Sequence, residues 1–252
     1  MKKFEFTGET KTTISGIVLH RIKALVRIDL GYSTIIEVGD LGGWLEKEDN
    51  LSNLGNAWVF GDAEVFGDTK IYGDALISGY SRVFGNARIF GNARIYNHAW
   101  VFGDAVVADS AWVFGDAEVS GYAQVFGDAE VHGNAQVSGY SRIFGNAQVS
   151  GDAEVLGDAK IYGDSRVYDD ACIKKCSHIL NIGPIGSRNE FTTFFRTKDR
   201  KIKVSCGCFL GTIDEFLEKV KQTHGDSKYA IVYRAAADIA LAQIDTSDED
   251  DA

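Results

Sequence analysis

Four cysteines and five histidines have the widest chemical range in this chain, and their spacing limits what they could do. Cys172, Cys176, Cys206 and Cys208 are enough thiolates for one tetrahedral zinc. The first pair is separated by three residues and the second by one, where a zinc knuckle uses two. Reduced thiols packed as small apolar side chains are the expectation, with these four as the weaker metal candidates. Redox chemistry at Cys206-Gly-Cys208 has no better case. His98, His132 and His178 lie in the repetitive middle of the chain and could serve as general bases. His178, at the border with a C-terminal cap, is the best placed of them. No orienting partner is visible in the sequence, so a structural or solvated imidazole is expected at each. The glycines between Gly31 and Gly43 form neither of the phosphate-cradling patterns, and Gly42-Gly43-Trp44 reads as a turn. No Gly-x-Ser-x-Gly elbow presents a nucleophile.

The elements that hold these residues are announced by self-similarity. From Val59 to Ile179 an aliphatic recurs every sixth position, making 21 hexads without an insertion. A small residue, usually Ala, sits two positions before each aliphatic, and Gly-Asp or Gly-Asn usually fills the interval. In Ala-x-Val-x-Gly-Asp, strand alternation puts Ala and Val on one face and both x residues on the other. Gly followed by Asp or Asn tolerates the left-handed angles of a corner. A strand of four and a turn of two, repeated, wind into a coil. The single proline among 252 residues suits a long ladder, in which each proline would delete a donor.

Runs such as Val83-Phe-Gly-Asn-Ala-Arg88 resemble the hexapeptide-repeat superfamily, and most closely the YdcK-like bacterial and phage repeat proteins. Flanking stretches strengthen the likeness: Gly39 to Leu51, Ile182 to Arg188, and Val204 to Phe209. The resemblance implies a mainly β fold, a single-stranded left-handed parallel β-helix of about seven triangular coils. At about 4.8 Å per coil the column stands roughly 34 Å tall. Its open ends need caps. The expected organisation is an N-terminal β cap (1–56), the β-helix (57–180), a C-terminal α+β cap (181–244) and a disordered acidic tail (245–252). In the C-terminal cap, Glu190–Arg196 and Lys201–Ser205 read as a hairpin. Thr212-Ile-Asp-Glu215 opens a helix as a capping box, and a second helix runs from about Lys228 to Gln243. Tyr229, Val232, Ala236 and Ile239 should form its inner face.

Three-sided coils stack residues eighteen apart on one wall. Wall one carries Trp58/Phe60, Leu76/Ser78, Arg94/Tyr96 and onward, a mixed set. Wall two, from Glu64/Phe66 to Cys172/Lys174, holds all but one of the outward glutamates. Wall three runs Lys70/Tyr72, Arg88/Phe90, Val106/Ala108, Gln124/Phe126, Arg142/Phe144, Lys160/Tyr162 and His178/Leu180, without one acid. Aromatic residues with Arg are what interface centres contain, and large exposed apolar patches are rare on monomers. The plainer alternative is a stabilising ladder of rings and cation stems.

The superfamily is best known for acyl-CoA-dependent acyltransferases, whose histidine lies near a loop that breaks the coil; these coils are unbroken. Its zinc carbonic anhydrases need three convergent histidines, and His98 and His132 are 34 apart, not a multiple of eighteen. The net charge of −10 disfavours nucleic acid, although aromatics interleaved with cations suit single strands. Neither a signal-peptide core nor an apolar run of membrane length occurs, so a cytoplasmic location and no membrane partner are expected. The reading is a non-enzymatic, self-associating scaffold without a cofactor, trimeric by the resemblance. Phage or prophage origin and action on a host macromolecule, a host protein first, are what the likeness implies. An acyl-CoA-dependent acyltransferase, with its site near His178 or the C-terminal cap, is the alternative.

Overall fold

The computed structural model describes residues 2–31 and 34–247. From residue 58 to residue 173 the chain lays down two-residue rungs, Trp58–Val59 through Cys172–Ile173, one per hexad. Each but the last three pairs in parallel with the rung eighteen residues on, as Arg82 with Trp100, Arg88 with Val106 and Arg94 with Trp112. Three stacked parallel sheets therefore form the walls of a β-solenoid of about seven turns.

The hexad explains the coil residue by residue. Val119, Val125, Ala117 and Ala123 are fully buried, so the interior is a narrow aliphatic column that admits nothing wider beside each corner. The ladder runs along the solenoid axis: Glu118 N donates to Ala135 O at 2.9 Å and Ser120 N to Val137 O at 2.8 Å. Where Ser or Thr replaces the inward Ala, the hydroxyl donates to the carbonyl three residues back. Thr69 reaches Phe66 O at 2.9 Å and Ser81 reaches Ser78 O at 2.8 Å. Ser141 Oγ is buried without a partner. Ser141→Ala should therefore raise stability by about 1 kcal/mol, while Ser81→Ala is neutral within about 0.5 kcal/mol. Parallel urea melts check both, and a destabilised Ser141→Ala would disprove the argument.

The winding starts ahead of the first regular hexad. Leu41–Leu45 pairs in parallel with wall two, Trp44 opposite Glu64 and Leu45 opposite Val65, and Leu51 bridges Ile71. These partners are twenty apart, because two extra residues lie between Leu51 and Val59. Gly42 and Gly43 are strand residues rather than the expected turn. A Cβ on Gly42 would meet Ile22 Cγ1 at 2.5 Å, and one on Gly43 would meet Val59 Cγ1 at 2.6 Å. Phe4–Thr12 and Val18–Ala24 extend this sheet antiparallel and cover the open ladder. Lys3 pegs the cap down: its Nζ donates to Ala57 O at 2.7 Å, and burial lowers its pKa to about 8.

At the other end, wall three stops at Lys160–Ile161. The last hexad does not form a rung. Residues 176–178 make a 3-10 turn, and His178, expected on an outward strand position, is fully buried. The chain is by then leaving the column for the antiparallel sheet of Ile179–Ile185, Glu190–Arg196, Ile202–Cys206 and Phe209–Thr212. Phe194 opposite Val204 sets the register of the expected hairpin.

Helices α1 (Ile213–His224) and α2 (Lys228–Gln243) pack on this sheet. Thr212 caps α1 reciprocally with Glu215. The inner face of α2 is not the one expected. Ala230, Tyr233, Ala236, Ala237 and Ala240 are buried, whereas Val232 and Ile239 are 40% and 50% exposed. Alanines let the helix lie close to its neighbours, and close approach displaces the larger aliphatics outward. Of the acidic C-terminal stretch, Asp245 N donates to Ser177 O and Arg196 Nη2 donates to Ser247 O. The rest of the expected tail, 248–252, lies outside the described residues. Among the described residues no helix is long and apolar enough to cross a membrane.

Candidate functional site

The register puts Lys70, Arg88, Val106, Gln124, Arg142 and Lys160 in one row on wall three. Beside it runs a row of half-buried rings. Tyr72 stacks on Phe90 at 4.9 Å, Phe126 on Phe144 at 5.1 Å and Phe144 on Tyr162 at 5.5 Å between centroids. Tyr162 ends the row 53% exposed. The two rows interlock: Arg142 Cζ lies 5.4 Å from the Phe126 centroid and 5.8 Å from that of Phe144. Arg88 Nη2 donates to Tyr72 Oη at 3.2 Å. Val106 and Ala108 break the ladder and leave a notch between Phe90 and Phe126, Ala108 being only 4% exposed.

Stacked rings are not peculiar to this wall. Phe66, Phe84 and Phe102 stack on wall two, and Tyr96, Phe114 and His132 on wall one. Ladder stabilisation therefore acts on every wall. Charge is what separates them. The carboxylates at either end of wall two are engaged by the caps: Lys11 lies 3.0 Å from Glu64, and Lys198 lies 2.8 Å from Glu154. Trp58 at the start of wall one and Cys172 at the end of wall two are buried. Of the four cations in the row, Lys70 has an acidic neighbour, Asp49 at 3.9 Å. Arg88, Arg142 and Lys160 face no carboxylate within ion-pair distance among the described residues. The corners on either side do carry acids, among them Asp104, Asp128 and Asp164. Asn146 Nδ2 donates to Asp164 Oδ1 at 2.8 Å, and Asn86 Nδ2 to Asp104 Oδ1 at 3.1 Å.

The remaining candidates are dispersed. His98 stacks on Tyr80 at a corner and lies 3.9 Å from Asp116. His132 stacks on Phe114 of wall one at 4.7 Å, and burial lowers its pKa. His178 has partners that the sequence did not reveal. Lys174 N donates to its Nδ1, and the buried Arg196 Nη1 lies 3.1 Å from Nδ1 and 3.3 Å from Nε2. This imidazole is fully buried, not on the outward strand position expected of it. Cys172 is buried on wall two, Cys176 is exposed beside Asp158 O, and Cys206 and Cys208 belong to the C-terminal cap. No group of three or more His, Cys, Asp or Glu could hold a metal among the described residues.

Residues 87–101, which pass from wall three across wall one to wall two, match the family model described as the YdcK beta solenoid repeat. A search of curated proteins finds no match to the chain.

Proposed function

We propose that this repeat β-solenoid is a non-enzymatic scaffold that associates with further copies of itself through wall three. The observation that carries the reading is the row of cations, of which Arg88, Arg142 and Lys160 have no acidic partner among the described residues, beside half-buried stacked rings. Arg142 lies against ring faces, so its charge is partly accommodated when the wall loses water. A copy displaced sideways by one row would set its corner aspartates over these cations, which makes the surface complementary to itself.

Size limits how strong the contact can be. Six rungs about 4.8 Å apart and about four residues wide give a plan area of roughly 400 Å² per copy. Two such walls bury about 800 Å², below the ~1,200–2,000 Å² of stable pairs. A closed ring, in which the wall-three cations of each chain meet the corner aspartates of the next, gives each chain two contacts, so the trimer expected from the resemblance is the favoured form. The other walls and the caps would then be free for a host macromolecule, a role that rests on the resemblance alone.

Sedimentation across a concentration series tests the assembly. Wild type should gain mass with concentration. Phe126→Glu/Phe144→Glu should weaken association at least about tenfold, and Gln136→Glu on wall two should not. The far-ultraviolet spectrum should stay unchanged throughout. A wild-type monomer at about 100 µM, or an oligomer indifferent to the double substitution, would sink the proposal. CoA and acetyl-CoA at about 1 mM should leave the melting temperature unchanged, and a saturable rise would favour acyl transfer instead.

A further inference from the structure

The C-terminal cap contains a cavity of about 310 Å³ between the 206–209 turn and the helices, at the small end of ligand-site volumes. Its inner wall is aromatic and aliphatic. Phe216 and Val220 of α1 and Tyr233 of α2 are buried, Phe209 closes the turn side, and Phe216 meets Tyr233 edge-on at 5.7 Å. Burial, followed by the neighbouring Cys206 thiol, holds the Tyr233 phenol above its ordinary pKa, so it keeps its proton.

The rim is charged, with both signs set side by side. Gly207, at φ +59°, leaves a gap in which a Cβ would stand 2.9 Å from Arg188 Nη1 and 3.5 Å from Glu190 Oε2. The guanidinium and the carboxylate thus flank one point without forming an ion pair with each other. The side chains of Arg188, Glu190 and Lys219 have no hydrogen-bond or ion-pair partner among the described residues, and all three line the cavity. Two opposite, unpaired charges at the mouth of an apolar pocket match a small zwitterion with an apolar side chain.

We propose that this cavity binds an aromatic α-amino acid. The ligand's ammonium would lie at Glu190, its carboxylate at Arg188 and Lys219, and its ring between Phe209, Phe216 and Tyr233. The site is independent of wall three. Because Arg188 and Glu190 are exposed, each charge contributes modestly and the affinity falls in the high-micromolar to millimolar range, on the order of 1 mM.

The test is a ¹H–¹⁵N shift titration of the intact chain with four probes: phenylalanine, phenylacetate, phenethylamine and glycine. Phenylalanine should saturate, with shifts confined to amides near 186–190, 206–209 and 216–233. Each truncated probe should bind at least about fivefold more weakly, and so should phenylalanine to Arg188→Gln or to Glu190→Gln. These surface substitutions touch no packed group, so the free spectrum should persist. Absence of saturation up to about 20 mM phenylalanine overturns the proposal. Equal binding of phenylacetate or phenethylamine, or unchanged affinity in both variants, also overturns it.

Discussion

Gly145→Val should destabilise the solenoid by about 3 kcal/mol or more, while Gly145→Asp should cost less than about 1 kcal/mol. Gly145 turns a corner at φ +73°, and a Cβ there would meet Gly163 N at 2.9 Å and Gly163 Cα at 3.2 Å. Those atoms are ladder backbone, because Asn146 N donates to Gly163 O at 2.9 Å, so relief requires a shift of one coil against the next. A β-branched residue adds the strain of left-handed angles, and it has no hydrogen bond to offset either effect.

Aspartate is different, as the protein itself demonstrates. Asp109, Asn97 and Asp169 hold the same corner conformation at φ +57°, +62° and +63°. Asp109 Oδ2 accepts from Gly127 N at 3.1 Å, a bond to the next coil that a short polar side chain can make from this geometry. Urea melts followed by circular dichroism separate the two outcomes. If Gly145→Asp proved as costly as Gly145→Val, the corner would be limited by shape alone, and the compensating bond would carry no weight.

Much of the fold is legible because each rule acts once per hexad and repeats. The period marks the inward Ala and Val and the corner glycines. The eighteen-residue stack leaves a fainter mark that the hexad alone does not show. Down each corner, carboxylates alternate with amides or neutral residues, as in Asp74, Asn92, Ser110, Asp128, Asn146 and Asp164. Asp152 and Asp170 are the exception, and Lys203 is hydrogen-bonded to Asp170 at 2.7 Å. Only a three-sided coil makes this spacing electrostatically sensible, since it separates like charges about 4.8 Å apart in the stack.

What escapes the sequence lies where the repeat meets something that does not repeat. His178 has the spacing of a rung, but the cap sheet begins at Ile179 and draws it inside. Gly42 and Gly43 have turn composition, yet they are glycine because Ile22 and Val59 pack against their α-carbons. The inner face of α2 is hidden because bulk is the usual sign of burial, whereas its buried stripe is largely alanine. The cap cavity draws on residues from 187 to 233, with no spacing to betray it. Gly207 stands out in the sequence only through the cysteines beside it, and its visible role is to leave room next to Arg188. Wall three is legible as a column, but its rings alone do not make it distinctive, since the other walls are stacked too.

Trp58→Ala should be the most damaging single truncation, and the damage should stay local. The outward phase of the hexad puts Trp58 on wall one, where Trp112 is 37% exposed. Instead Trp58 is fully buried, in one cluster with Phe4, Ile22, Ile28, Ile36 and Leu51 of the N-terminal cap. Removing a large buried ring typically costs about 3–5 kcal/mol, against about 1 kcal/mol or less for Trp112→Ala on the open surface. Coils contact only their neighbours, so the loss need not spread along the column. Hydrogen exchange of Trp58→Ala should show lost protection in the amides from 41 to 77. Protection from about 118 to 161 should be kept, because each of those rungs still has its folded neighbours. Uniform loss across all coils would mean that the column melts as one unit, and capping by Trp58 would then be a condition of folding rather than a local seal.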